Sequence, residues 1–68
     1  GKGVGRALAR RAEAIAREEG GVVMTLMTAE GNVRGRRLFT RCGYLPVIRM
    51  PDSYMNGEAA IEMFKPIA

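Results

Sequence analysis

Glycine occupies positions 1, 3 and 5, and the chain then runs straight into a helix-forming segment. Glycine tolerates positive φ and has no side chain to hold a ligand away. A helix start offers unpaired backbone N–H groups and the positive end of a dipole. The stretch Gly1-Lys2-Gly3-Val4-Gly5-Arg6-Ala7-Leu8 therefore resembles a seat for phosphate or pyrophosphate. Two better-known glycine loops are excluded. A dinucleotide fingerprint needs glycine at its sixth position, where this chain has Arg6. A P-loop closes on Gly-Lys-Ser/Thr, and here Lys2 is followed by Gly3. A plain leader ahead of a helix is the alternative reading of the same residues.

With 68 residues the chain is expected to make one small domain over residues 1–68. A domain of this size buries only about 60% of its unfolded surface, so its core is thin. Apolar residues make up 47% and charged residues 26%, which reads as globular and not disordered. No apolar run approaches the roughly 20 residues of a membrane span, so no membrane association is expected. The single Cys42 has no internal disulfide partner, which suits a reducing, cytoplasmic setting. With no histidine and one cysteine no structural zinc site is expected, a Ser-His-Asp or Cys-His catalytic unit is excluded within this chain, and no metal is expected. The net charge of +4 allows an anionic partner. The few aromatic residues are not interleaved with the arginines, which argues against nucleic acid and for a solvated surface plus an anionic cofactor.

Residues 3–19 read as an amphipathic helix with Val4, Ala7, Leu8, Ala12 and Ile15 on its inner face. Arg6, Arg10, Glu13 and Arg17 line the opposite face, and Gly20-Gly21 ends the helix. Residues 22–28 read as a strand, apolar on both sides and hence expected to be covered on both. Asn32 is placed to cap a second helix over residues 33–42. Gly35, Leu38, Phe39 and Cys42 define the inner face of that helix, and Arg34, Arg37 and Arg41 form a stripe away from it. After Gly43, residues 44–50 and 59–65 read as a hairpin joined by a long connection containing Asn56-Gly57. Pro46 suggests an edge strand or a bulge.

Two of these segments together resemble the GNAT superfamily of acetyl-CoA-dependent N-acyltransferases. The glycine loop matches the small positions of Gln/Arg-x-x-Gly-x-Gly/Ala with Gly3 and Gly5. The second helix, Asn32-Val33-Arg34-Gly35-Arg36-Arg37-Leu38-Phe39-Thr40-Arg41-Cys42-Gly43-Tyr44, is similar to the later family pattern Asn-x-x-Ala-x-x-Leu/Phe-Tyr-x-x-x-Gly-Phe. The resemblance covers the whole chain but only the C-terminal half of the family fold. It implies an α/β (α+β) arrangement of helix, strand, helix and hairpin, with a three-stranded mixed sheet whose last strand lies in the middle. It also implies direct attack of an amine on the acetyl-CoA thioester, with orientation and oxyanion stabilisation supplied by the protein. The cofactor-binding residues it implies are Lys2, Gly3, Val4, Gly5 and Arg6 around the pyrophosphate. Asn32 would lie near the pantetheine, with a plain helix cap as its alternative role.

The family tyrosine often assigned as general acid is Phe39 here, so no catalytic residue is assigned. Tyr44 and Tyr54 carry phenols away from the motif position, and Cys42 reads as a small core residue. The leading expectation is an N-acetyltransferase-family chain that keeps the pyrophosphate loop, lacks the family's first strands and is inactive alone. Its partners would be acetyl-CoA and an amine acceptor of unknown identity. Alternatives are a non-catalytic assembly module, including a homodimer through an exposed strand edge, and a basic RNA-binding module using Arg34, Arg36, Arg37 and Arg41.

Overall fold

The computed structural model describes residues 3–68, in the order α1 (Val4–Glu18), β1 (Val23–Ala29), α2 (Val33–Arg41), β2 (Leu45–Met50) and β3 (Ala60–Pro66). Both helices stop on a glycine in the left-handed region, and both stops are double-bonded. At the end of α1, Gly20 (φ 86°) donates to the Arg17 carbonyl and Gly21 to that of Ala16. At the end of α2, Gly43 (φ 97°) donates to Thr40 and Tyr44 to Phe39. This is the Schellman pattern, whose usual apolar clasp joins the residue after the glycine to one in the last turn. Here that clasp is the edge-to-face pair Phe39–Tyr44, with ring centroids 6.0 Å apart.

The sheet order is β1-β3-β2, so the last strand lies in the middle as expected. The sheet is not mixed, however. β3 runs antiparallel to both neighbours, and inserting it keeps β1 and β2, the two strands joined through α2, from ever pairing. Pro46 satisfies both of its readings: β2 is an edge strand, and its register with β3 shifts between Pro46 and Ile48.

Cross-strand partners share a face of a sheet. Met24, Leu26 and Thr28 pair with Lys65, Met63 and Ile61, and this is the face the helices cover. The core is Tyr44, Ile61 and Met63, with Met24, Leu26, Phe39 and Cys42 packed on it. Of the inner face expected for α2, Phe39 and Cys42 pack on this core, whereas Leu38 lies against Gly5 of α1 and, with Gly35, lines a cleft. The opposite face of the sheet carries Val23, Met27, Leu45 and Ile48, all about half exposed. Coverage of β1 on both sides is thus not realised, because both helices pack on one face. No helix among the described residues is long and apolar enough to cross a membrane.

The α1 helix also departs from its expected orientation. Val4, Leu8 and Ile15 are 59%, 64% and 48% exposed, and Ala7 and Ala12 face outward with them. The face turned to the sheet is Gly5, Ala9, Glu13 and Ala16. Two contacts explain the choice. A Cβ on Gly5 would lie 2.7 Å from Leu38 Cδ2, so with glycine there α1 approaches α2 closely without moving the Leu38 side chain. Glu13 is 4% exposed and accepts hydrogen bonds from Lys65 Nζ (2.8 Å) on β3 and from Tyr44 Oη (2.9 Å). Arg17 adds a bond from Nε to the Ile67 carbonyl, 2.7 Å.

Burial alone would raise the Glu13 pKa. The hydrogen bonds from Lys65 and Tyr44, with the charges of Lys65 and Arg17, outweigh it and hold the carboxyl below its ordinary 4.5. Burial, then the Glu13 carboxylate, push the Tyr44 phenol up to about 12. The Glu13 contribution to stability is therefore complete above the unfolded-state value and is lost as pH falls through the lower folded one. The Tyr44 contribution is complete below pH 10.0 and is lost as pH rises toward about 12.

Denaturant titrations across pH are expected to show this acid limb. Glu13→Gln should lower stability at pH 7 by about 1–3 kcal/mol, through the weakened bonds to Tyr44 and Lys65, and flatten the limb. An E13Q chain with the parent acid limb would show that Glu13 does not govern it. Gly5→Val should cost about 1–3 kcal/mol by overpacking against Leu38. Leu38→Ala in the same chain should recover part of that loss, and a double-mutant cycle with no coupling would assign the cost elsewhere.

Candidate functional site

The first turn of α1 is an uncapped helix start. Gly3 is the N-cap residue, with φ 115°, and a Cβ there would meet nothing within 4 Å. It has no side chain to cap the helix, and the first turn contains no acidic residue. The first intrahelical bond runs from Ala7 N–H to the Gly3 carbonyl, 2.9 Å. The N–H groups of Val4, Gly5 and Arg6 precede that bond and have no partner among the described residues. Four of the expected cofactor residues, Gly3, Val4, Gly5 and Arg6, are thus brought into one helix turn. Lys2, the fifth, lies outside the described residues.

Three features of this turn suit a diphosphate. Its backbone donors are unpaired, the left-handed glycine leaves open space in front of them, and the dipole end carries Arg6 instead of a carboxylate. Gly5 has a separate packing role, holding α1 against Leu38.

Clefts lead away from this turn between the helices. Gly3, Arg6, Leu38 and Arg41 wall one of about 360 Å³. Leu38 and Arg41 are shared with a second of about 390 Å³ that runs along α2 past Arg37, Gly35 and Arg34. The stripe of Arg34, Arg37 and Arg41 is exposed as expected, and it forms the rim of this trough. A larger cleft of about 420 Å³ lies between α2 and Pro46 and Met63, and touches neither Gly3 nor Asn32.

Asn32 begins α2 and acts as its cap. Its Oδ1 accepts from Gly35 N–H at 3.0 Å, and its Nδ2 donates to Thr28 Oγ1 at 3.2 Å. The amide thereby ties the end of β1 to the start of α2. A Cβ on Gly35 would lie 2.5 Å from Asn32 Nδ2, so the glycine makes room for this cap.

Phe39 packs on the core and has no proton to give. Tyr44 is 1% exposed and its hydroxyl donates to Glu13, so its proton is committed inside the core. Tyr54 lies in the connection between β2 and β3. Cys42 packs against the core, as its sequence position suggested. Arg41 lines both trough clefts, whereas the sequence offers it only as part of the RNA-binding alternative and not among the cofactor residues. Its only sequence signal was its place in the arginine stripe, which reads equally as a solvated face.

No curated protein matches the sequence. Solved structures do. Nourseothricin acetyltransferase is 30% identical and superposes with a TM-score of 0.92, covering 100% of this chain and 42% of that one. The putative acetyltransferase yncA of Salmonella typhimurium, solved with its cofactor acetyl-CoA, is 27% identical, with a TM-score of 0.88 over 100% of this chain and 41% of its own. The ribosomal-protein-S18-alanine N-acetyltransferase of Escherichia coli is 26% identical, with a TM-score of 0.85 over 98% and 45%. The chain therefore spans less than half the length of these structures. The model of the acetyltransferase (GNAT) family matches residues 1–44, which include both the glycine turn and the Asn32 helix. The chain belongs to the GNAT acetyltransferase family.

Proposed function

We propose that this chain is the acetyl-CoA-binding portion of an N-acetyltransferase. The observation that carries the reading is the first turn of α1, with its unpaired N–H groups on Val4, Gly5 and Arg6 behind a left-handed Gly3. These donors, with Arg6 and Lys2, would hold the pyrophosphate, and the trough along α2 toward Asn32 would take the pantetheine. Acetyl-CoA supplies an acyl thioester that an amine can attack. The residues of this chain bind and orient it, and none of them is placed as general acid or base. Acyl transfer would then require acceptor and catalytic groups beyond these 68 residues, and the chain alone would be inactive. The lone Cys42 supports a reducing, cytoplasmic setting.

A second reading, an assembly module, is favoured by a different observation. β1 is an edge strand, and its outer face leaves Val23 and Met27 half exposed, a template for pairing with a second copy. The two readings are compatible.

Titration with acetyl-CoA followed by backbone amide NMR is expected to give saturable shifts at Val4, Gly5 and Arg6. A folded chain whose amides do not move would refute the binding reading. Sedimentation equilibrium should give about twice the 7.4 kDa chain mass if the β1 edge pairs. A 7.4 kDa species at high concentration would exclude the homodimer.

A further inference from the structure

A fourth cleft shares Arg6 and Arg41 with the one that opens at Gly3. It has a volume of about 180 Å³, is lined mainly by polar atoms, and is walled by Arg6, Arg10, Glu13, Arg41, Cys42 and Lys65. Its charges do not cancel. Glu13 is fully engaged, one carboxylate oxygen with Lys65 and the other with Tyr44. Arg6, Arg10 and Arg41 have no carboxylate partner among the described residues, where the ion pairs are Lys65–Glu13 and Arg49–Glu30. Three arginines without a carboxylate partner thus line one small polar cleft and leave an excess of positive charge. Arginine forks are suited to phosphate oxygens, and a phosphate monoester near neutral pH carries close to two charges.

We infer that this cleft is a second phosphate site, and that it takes the 3′-phosphate of coenzyme A. The inference rests on the proposed pyrophosphate turn and extends it. Arg6 and Arg41 wall both this cleft and the one that opens at Gly3, so the two anion sites adjoin. In coenzyme A the pyrophosphate and the 3′-phosphate hang from the same ribose, at its 5′ and 3′ oxygens, and a ligand held at one must place the other close by. A polynucleotide fits less well. Stacking of bases needs exposed aromatic rings, and Phe39 and Tyr44 beside the cleft are turned into the core. Arg10 lines this cleft and neither wall of the trough, which makes it the residue that separates the two sites.

The test compares CoA with dephospho-CoA, which lacks only the 3′-phosphate, by calorimetric titration of the 68-residue chain. CoA should bind about tenfold more tightly or better, in line with loss of a charge-assisted bidentate contact. Arg10→Gln should reduce that preference to about two- or threefold while leaving the dephospho-CoA affinity unchanged, and Arg10→Lys should restore part of it. Arg11→Gln, on the outward side of α1, should leave the preference intact. Equal binding of CoA and dephospho-CoA by the parent chain would overturn the 3′-phosphate site and leave the pyrophosphate turn standing. An R10Q chain that loses both ligands equally, or neither, would do the same. Failure of both ligands to bind would refute the pyrophosphate reading and this one with it. An RNA oligonucleotide that binds the cleft arginines and is not displaced by CoA would assign the cluster to nucleic acid instead.

Discussion

One buried carboxylate ties the layers of this protein together. Glu13 joins α1 to β3 through Lys65 and to the turn after α2 through Tyr44. It is the one buried residue of its helix, and the apolar core beneath it is small. A buried charge is tolerable only when its lone pairs are satisfied, and here both oxygens are. The Tyr44 ring is fixed from the other side by its contact with Phe39 across the Schellman turn. A local signal, Gly43 in the left-handed region, thereby places a phenol where a residue 31 positions earlier needs it.

The orientation of α1 follows from that node. Small residues at Gly5, Ala9 and Ala16 flank Glu13 and let the helix sit close to the body, so the stripe of larger apolar side chains turns outward. The sheet has the same asymmetry. Both helices cover one face, and the other keeps Val23, Met27, Leu45 and Ile48 half exposed. Apolar surface on this scale is costly to leave in water, and it lies on a chain that matches under half the length of its structural neighbours.

The same geometry leaves the N-terminal turn of α1 open. A serine or aspartate at the cap would satisfy the first N–H groups, and an acidic first turn would repel an anion. Gly3 and the absence of carboxylates in that turn do neither. At the start of α2 the opposite choice is made, where Asn32 closes its own helix end and anchors it to Thr28. Two helix starts in one small domain are thus treated differently: one is sealed and one is left as a set of donors.

Much of this was legible in the residues. Helix stops at Gly20 and Gly43, the cap at Asn32, the inward turn of Phe39 and Cys42 and the irregular edge at Pro46 are each dictated within a few positions along the chain. Local backbone preference suffices for them. The motif pair of glycine turn and Asn32 helix carried the family for the same reason, since its residues are read in order along the chain. The tertiary structure alone decided which side of α1 faces inward, because a hydrophobic stripe says where burial is favourable and not whether a partner is there to provide it. It decided that the sheet is wholly antiparallel, since β3 closes its ladders with strands far away in sequence. It also gathered Arg6, Arg10 and Arg41 on one cleft across two helices. Charges 35 positions apart carry no mutual signal in a sequence, and only packing brings them within reach of one anion.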